Sequence, residues 1–168
     1  MSEYTISQVS PTDKTTLAEI DALLQKEGIR RDGNLDYICA MFDEDYHVIG
    51  TGSCFGNTLR CFAVSSDHQG EGLLNQIITH LIEVQCARGN LHLFLYTKGK
   101  SSKFFGDLGF YEIARVEDTL VFMENRRDGF GAYLRGLEKT KTEGSSAALV
   151  MNANPFTLGH QYLVETAA

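Results

Sequence analysis

The order of apolar and polar positions predicts a strand followed by a helix at the start of the chain. Residues 4–10 alternate in the manner of a strand. The helix that follows has apolar residues on one side, at Leu17, Ile20, Leu23 and Leu24. Thr12 or Asp13 can cap the start of this helix, and Gly28 can end it.

Three strand-like runs come next, and short polar turns separate them. The runs are residues 37–42, 47–55 and 58–64. Strands joined by such tight turns are typical of an antiparallel meander, because a short turn reverses the direction of the chain between neighbouring strands. The sequence therefore predicts a sheet in this part of the chain.

The apolar period becomes helical from Glu71 onward, and this helix is expected to end near Gly89. Residues 91–97 are apolar at almost every position, which predicts a central strand covered on both faces. The pattern then predicts a short helix and a closing hairpin. These elements are residues 101–108, 110–116 and 119–124.

The composition changes after Glu124. Residues 126–146 are charged and contain glycine, and they indicate a linker with one short helix. Residues 147–151 predict a new strand that leads through a loop into a helix near His160. We therefore divide the chain into three segments, which are residues 1–125, 126–146 and 147–168.

Charge and composition narrow the classes of function. The chain has 168 residues, 43% of them hydrophobic, and a formal net charge of −7, which argues against nucleic acid as a partner. It contains no apolar run long enough for a membrane span and no apolar segment typical of a signal peptide. The four cysteines form no C-x-x-C pair and lie in apolar stretches. We expect a cytoplasmic protein with reduced, buried thiols and no metal site.

A glycine-bearing loop, Gln69-Gly70-Glu71-Gly72, joins the strand of residues 58–64 to the next helix. Glycines at the start of a helix let the main chain come close to a ligand, and the free N–H groups of the first turn favour an anion. A pyrophosphate meets this requirement. A plain strand-to-helix turn would have the same pattern.

The order of the elements, this loop and the segment of residues 101–113 with its Leu108-Gly109-Phe110 resemble the GNAT acyltransferase family. The resemblance covers residues 4–124. It implies an α/β fold of the α+β kind, with a mixed central sheet flanked by helices. It also implies a site for coenzyme A or a similar ligand, although Leu74 stands where the family has a small residue. The implied ligand contacts are Phe62, Ala63, Val64, Gln69, Gly70, Glu71, Gly72, Leu73 and Leu74.

The catalytic residues of that chemistry are not evident in the sequence. Many family members have a tyrosine that can protonate the leaving thiolate, at the position where this chain has Phe105, which has no proton to give. Tyr96, Tyr111 or Ser102 could replace it. No general base can be assigned, and we interpret His68, near the loop, as a solvated residue.

A second motif lies at residues 152–160, where Pro155 and Gly159 shape a loop before a helix. A helix start that presents Thr157 and His160 can hold a triphosphate. Thr157-Leu158-Gly159-His160 resembles the T/H-x-G-H signature of the nucleotidyltransferases, with Asn154 in place of an aspartate. The resemblance implies a Rossmann-like domain, of which this chain has the first βα piece. It also implies ATP contacts from Asn154, Thr157, Gly159 and His160.

The two motifs in this order resemble the citrate lyase ligase family. The resemblance implies ATP with Mg²⁺, acetate, and an acetyl-AMP intermediate. The acetyl group would then pass to the thiol of a prosthetic group on the acyl carrier subunit of citrate lyase, a group similar to coenzyme A or dephospho-coenzyme A. We expect a fragment without ligase activity of its own.

Three hypotheses remain open for the GNAT-like domain. It can bind the arm of the carrier subunit, it can be an acetyl-CoA-dependent N-acetyltransferase, or it can be a non-catalytic docking domain for the lyase complex. Each can be tested by a different assay, namely ligand binding, release of thiol from acetyl-CoA, or capture of the carrier subunit.

Overall fold

A computed structural model of the chain describes residues 4–68 and 70–168. The strands are β1 (Thr5–Gln8), β2 (Tyr37–Phe42), β3 (Val48–Phe55), β4 (Thr58–Val64), β5 (Phe94–Thr97), β6 (Tyr111–Val116) and β7 (Leu120–Glu124). The α-helices are α1 (Lys14–Lys26), α2 (Leu73–Ala87), α3 (Ser102–Asp107), α4 (Gly129–Glu138) and α5 (Leu158–Ala167).

The strands form a seven-stranded sheet in the order β1-β2-β3-β4-β5-β7-β6. Strands β4 and β5 are parallel, and every other neighbouring pair is antiparallel. The predicted meander is confirmed as β2, β3 and β4, and the mixed sheet flanked by helices is confirmed as well. Strands β2 and β4 have the predicted bounds.

Helix α1 begins and ends where the sequence predicts. The side chain of Asp13 accepts a hydrogen bond from the main-chain N–H of Thr16 at 3.1 Å, which satisfies one of the free donors of the first turn. Gly28 follows the helix with a φ of 66°, a conformation that glycine adopts without strain.

The two long helices pack on opposite faces of the sheet. Neighbouring positions along β2 alternate between faces, so that Cys39 packs with the cluster around α2 while Ala40 packs with the cluster around α1. Helix α2 lies so close to β3 that a Cβ atom at Gly52 would be only 2.6 Å from Cγ2 of Ile77. Gly52 therefore allows the close approach of the helix to the sheet.

Strand β5 differs from the prediction in its length and in its coverage. It begins at Phe94, not at residue 91, and Tyr96 is 45% exposed, so the prediction of a strand covered on both faces is wrong. Aromatic rings partly cover that face in place of a helix. The ring of Phe122 on β7 stacks on Tyr96 at 4.6 Å and on Phe94 at 5.5 Å between centroids.

The chain divides into two compact units, one that ends at Gly131 and one that comprises Ala132–Ala168. The strand predicted at residues 147–151 is not formed, and Val150 is fully exposed. A strand is stabilised by hydrogen bonds to a neighbour, and none of the described strands pairs with these residues. The second unit therefore has helices in its described residues but no strand.

The expectation of buried thiols holds for two cysteines. Cys39 and Cys54 are buried, but Cys61 is half-buried and Cys86 is exposed, so the prediction is wrong for the last two. Cys86 lies near the end of α2, on the side of the helix that faces solvent. In the described part of the chain, no helix combines the length and the apolar character that a membrane span requires.

Candidate functional site

Strands β4 and β5 are paired only at their beginnings. The parallel ladder joins Thr58 to Phe94 and Leu59 to Leu95, although both strands continue beyond these residues. The edge of β4 from Arg60 to Val64 that faces β5 therefore has no strand paired with it among the described residues. Main-chain groups of this edge remain available to a ligand, since a free strand edge offers unpaired donors and acceptors.

A β-bulge bends β4 just after Leu59, the last residue that pairs with β5. The register with β3 shifts between Thr51 and Ser53, and Cys61 adopts a φ of 53°. A side chain other than glycine costs about 1–2 kcal/mol in this left-handed region. Strain of this kind is concentrated at functional sites, and bulges commonly redirect a strand next to one.

Helix α2 begins beside the free edge, and its first turn is open. Gly70 and Gly72 have φ values of 92° and 74°, and a Cβ atom at either would meet nothing within 4 Å. No described side chain caps the helix, and its first internal hydrogen bond runs from the N–H of Gln76 to the carbonyl of Gly72. Within the described residues, no acceptor bonds the N–H groups of this turn before Gln76, so the turn can hold an anion.

The predicted contact residues meet at this place, but several can offer only their main chain. The side chains of Ala63 and Leu73 are buried in the core, whereas Val64 and Leu74 are half-buried. The ring of Phe62 packs against Phe105 with centroids 5.7 Å apart. Gln69 lies outside the described residues. Recognition here would therefore depend on main-chain groups.

The side chain of Glu71 is held by a residue that the sequence analysis missed. The hydroxyl of Tyr4 donates a hydrogen bond to Oε2 of Glu71 at 2.7 Å. The Tyr4 ring also meets the His68 ring edge to face, with centroids 5.9 Å apart. His68 is not freely solvated as predicted, because its Nδ1 is buried and has no described hydrogen-bond partner. These contacts join positions far apart in the chain, so no local pattern reveals them.

Phe105 stands where many GNAT enzymes have the acidic tyrosine, and its side chain packs in the core. Phe105 is 2% exposed and its ring contacts Phe104 and Phe110 as well as Phe62. Of the three possible replacements, the hydroxyl of Ser102 already donates to the carbonyl of Gly99 at 2.8 Å. The other two, Tyr96 and Tyr111, are exposed tyrosines on β5 and β6. No side chain is thereby identified as the acid.

The start of helix α4, whose first residues up to Gly131 still belong to the first unit, shows a helix start filled by the protein itself. Glu124, buried at the end of β7, accepts a hydrogen bond from the N–H of Phe130 at 2.9 Å, and it also bonds Nε2 of His92 at 2.5 Å. A carboxylate of the protein thus occupies the position that an anion would take. The start of α2 has no such group from its own described residues.

The second motif forms a compact turn at the start of α5. The N–H of Thr157 donates to Nδ1 of His160 at 3.0 Å, and the Thr157 hydroxyl oxygen lies 2.8 Å from the same nitrogen. A Cβ atom at Gly159 would meet only Oγ1 of Thr157, at the ordinary distance of 3.7 Å. Asn154 is exposed in the loop before the helix. Packing within the described chain therefore does not require a glycine at 159.

Comparison with curated proteins gives a consistent result. A family model for the citrate lyase ligase C-terminal domain matches residues 146–168. The chain is 36% identical over 157 residues to a [citrate [pro-3S]-lyase] ligase of Klebsiella pneumoniae, covering 93% of this chain and 46% of that protein. It is 33% identical over 163 residues to the ligase of the same name from Escherichia coli K12, covering 96% of this chain and 46% of the relative.

Solved structures show the same fold at low sequence identity. Escherichia coli ElaA has a TM-score of 0.62 at 13% identity, covering 75% of this chain and all of that one. A GNAT family N-acetyltransferase from Escherichia coli (YhbS), solved in complex with CoA, has a TM-score of 0.56 at 18% identity, covering 76% of this chain and 84% of that one. The first unit therefore has the GNAT fold.

The chain spans about half the length of the curated relatives that it matches. The GNAT fold, the match of residues 146–168 and the similarity that extends over nearly the whole chain agree with one another. This chain belongs to the citrate lyase ligase family.

Proposed function

We propose that the chain is part of an ATP-dependent ligase that activates citrate lyase, and that its first unit binds the CoA-like arm of the acyl carrier subunit. The separation of β4 from β5 beside the open start of α2 carries this proposal. In the proposed reaction, an oxygen of acetate attacks the α-phosphorus of ATP to form acetyl-AMP and release pyrophosphate. The thiol of the arm then takes the acetyl group as a thioester, with release of AMP and a proton.

The shape of the free edge suits a long, thin ligand. A pantetheine chain is extended and contains amide groups, so it can pair with the main chain of β4 between Arg60 and Val64 as an added strand does. Its pyrophosphate would then lie on the free N–H groups before Gln76. The YhbS neighbour was solved in complex with CoA, which supports a CoA-like ligand for a chain of this fold.

The start of α5 is proposed as part of the ATP site. Thr157, Gly159 and His160, with Asn154 in the preceding loop, would contact the phosphates together with Mg²⁺. The open space beside Gly159 supports this role, since a Cβ atom there would fill room that the protein leaves free. We propose that residues 147–168 begin the nucleotidyltransferase domain and that residues 126–146 link it to a first domain of residues 1–125.

Two other functions compete for the first unit. An acetyl-CoA-dependent N-acetyltransferase needs an acid for the leaving thiolate, and Phe105 cannot supply a proton. The buried aromatic cluster around Phe105 makes this alternative weaker. A docking domain without ligand binding would not need the free edge of β4, the strained Cys61 or two glycines at a helix start.

Calorimetry with dephospho-CoA and with CoA tests the proposal on the 168-residue chain. Gly72→Asp places a bulky negative side chain at the anion site, and we expect it to weaken binding by about tenfold or more through charge repulsion and loss of close approach. Gly89→Asp is the matched control. Gly89 has a similar φ of 83°, also has open space around its Cβ position, and lies at the other end of α2.

The outcomes separate the three functions. Binding that Gly72→Asp abolishes and Gly89→Asp preserves supports the arm-binding role. Absence of binding at millimolar ligand to the folded chain, with capture of the carrier subunit unaffected by Gly72→Asp, would favour the docking domain. Release of thiol from acetyl-CoA in the presence of an amine acceptor would favour the acetyltransferase.

A further inference from the structure

The hydrogen bonds at the start of α5 determine which nitrogen of His160 carries the proton. Nδ1 of the ring receives the N–H of Thr157 at 3.0 Å. A main-chain N–H can only donate, so Nδ1 must accept with its lone pair. In the neutral ring the proton is then on Nε2.

The Thr157 hydroxyl reinforces the same assignment. Its oxygen lies 2.8 Å from Nδ1. Because Nδ1 carries no proton in this tautomer, the hydroxyl is also a donor to it. The single lone pair of Nδ1 thus faces Thr157, and such a bond to one ring nitrogen is what sets the role of the other.

We propose that Thr157 is a positioning residue that holds His160 with Nδ1 as acceptor and the proton on Nε2, so that Nε2 donates a hydrogen bond to a phosphate oxygen. The identity of the acceptor as a phosphate rests on the proposed ATP site. The tautomer does not, because it follows from the hydrogen bond between Thr157 and His160. Thr157 would then act through His160, and its main-chain N–H matters more than its hydroxyl.

Phe156 and Gly159 agree with this arrangement. The Phe156 ring lies beside the His160 ring, with centroids 5.7 Å apart and an interplanar angle of 31°. The space beside Gly159 is open except for the Thr157 hydroxyl. A ring held in this way needs no reorientation when an anion arrives, which lowers the entropic cost of the hydrogen bond.

Nitrogen NMR on the 168-residue chain with ¹⁵N-labelled histidine tests the inference directly. At about pH 8.5, above the ordinary range for histidine, the two ring nitrogens of a single tautomer have widely separated shifts. We expect His160 to show a protonated Nε2 and an unprotonated Nδ1, and His160→Gln identifies its signals. His92 serves as an internal reference, because its Nε2 donates to the carboxylate of Glu124 at 2.5 Å.

Substitutions at Thr157 separate its two donors. Thr157→Val removes the hydroxyl but keeps the N–H, and we expect it to retain the single tautomer. Thr157→Pro removes both donors, and we expect a mixture of tautomers. A protonated Nδ1 in the unsubstituted chain would overturn the inference, and this measurement does not depend on whether a variant folds.

Titration with inorganic tripolyphosphate distinguishes the inference from the proposed function. We expect the Nε2 signal of His160 to shift while the protonation of Nδ1 stays unchanged. The expected tautomer without any response to tripolyphosphate would contradict the proposed phosphate site and leave the tautomer assignment supported. A tripolyphosphate-dependent change to a protonated Nδ1 would overturn the positioning role of Thr157.

Discussion

The starts of α2 and α5 are both proposed to bind an anion, but they are built in different ways. Helix α2 begins with glycines in the left-handed region and has no side-chain cap, so it presents the main chain alone. Helix α5 begins with Thr157 and His160 bonded to each other. The first arrangement suits a diffuse charge such as the pyrophosphate of a long arm, and the second provides one directed donor.

Packing also differs between the two starts. The residues Leu73, Ile77, Ile78 and Leu81 bury α2 against the sheet, whereas α5 has no buried residue among those described. Most helix stability in proteins comes from such packing and not from local propensity. A helix start supported by a core can keep an uncapped first turn, while an exposed one depends on its cap.

The largest predicted difference between the two helices is in hydrogen exchange. Amides of α2 around Ile77 are expected to exchange only through global unfolding, whereas those of α5 open locally. We expect protection factors that differ by about a thousandfold or more, measured by NMR on the 168-residue chain. Equal protection in the two helices would show that the second unit is as firmly packed as the first.

Alanine substitutions should have opposite effects at the two starts. Gly72→Ala forces a side chain into a φ of 74° and is expected to destabilise the first unit by about 1 kcal/mol. Gly159→Ala replaces a helical glycine that has no close neighbour, and it should stabilise α5 by about 0.5–1 kcal/mol. Urea unfolding measures the first effect and amide exchange the second. Changes of the same sign would mean that the two glycines have similar conformations.

The cap of α5 can be tested separately. His160→Ala removes the acceptor for the N–H of Thr157, and we expect a loss of about 0.5–1 kcal/mol of local helix stability. The first unit provides the control, since its urea unfolding should not change. Unaltered exchange of the α5 amides would show that the bond between Thr157 and His160 contributes nothing to the helix.

The smallest predicted effect concerns the charge beside the open turn of α2. Glu71 is held by Tyr4, and its negative charge lies in the loop proposed to bind pyrophosphate. Glu71→Gln should tighten dephospho-CoA binding by about two- to fivefold, as expected for the loss of an exposed like charge. The effect should shrink in high salt. Weaker binding after this substitution would mean that Glu71 contacts the ligand favourably.

Features that depend on neighbouring residues could be predicted from the sequence, whereas features that depend on distant residues could not. Strands β2 and β4 and the helix cap at Asp13 follow from local patterns, and the structure confirms them. The bulge at Cys61 depends on how β4 pairs with β3, and the end of the ladder at Leu95 depends on its partner Leu59, 36 positions away. Local periodicity carries no information about either.

The candidate sites show the same limit. The glycines of the loop and the Thr157 to His160 motif are visible in the sequence, because their chemistry is local. The bond from Tyr4 to Glu71 spans 67 positions, and the buried ring of Phe105 depends on three other aromatic residues. The strand predicted at residues 147–151 failed for a related reason, since apolar character alone does not supply a partner strand.

In the proposed function, the free edge of β4 and the open turn of α2 hold the CoA-like arm. Titration of the ¹⁵N-labelled chain with dephospho-CoA, followed through main-chain amide shifts, tests it most directly. We predict that the largest shifts occur at Gly70, Gly72 and the first turn of α2, together with residues 62–64 of β4. Absence of shifts at millimolar ligand, or shifts confined to another face of the sheet, would contradict the claim.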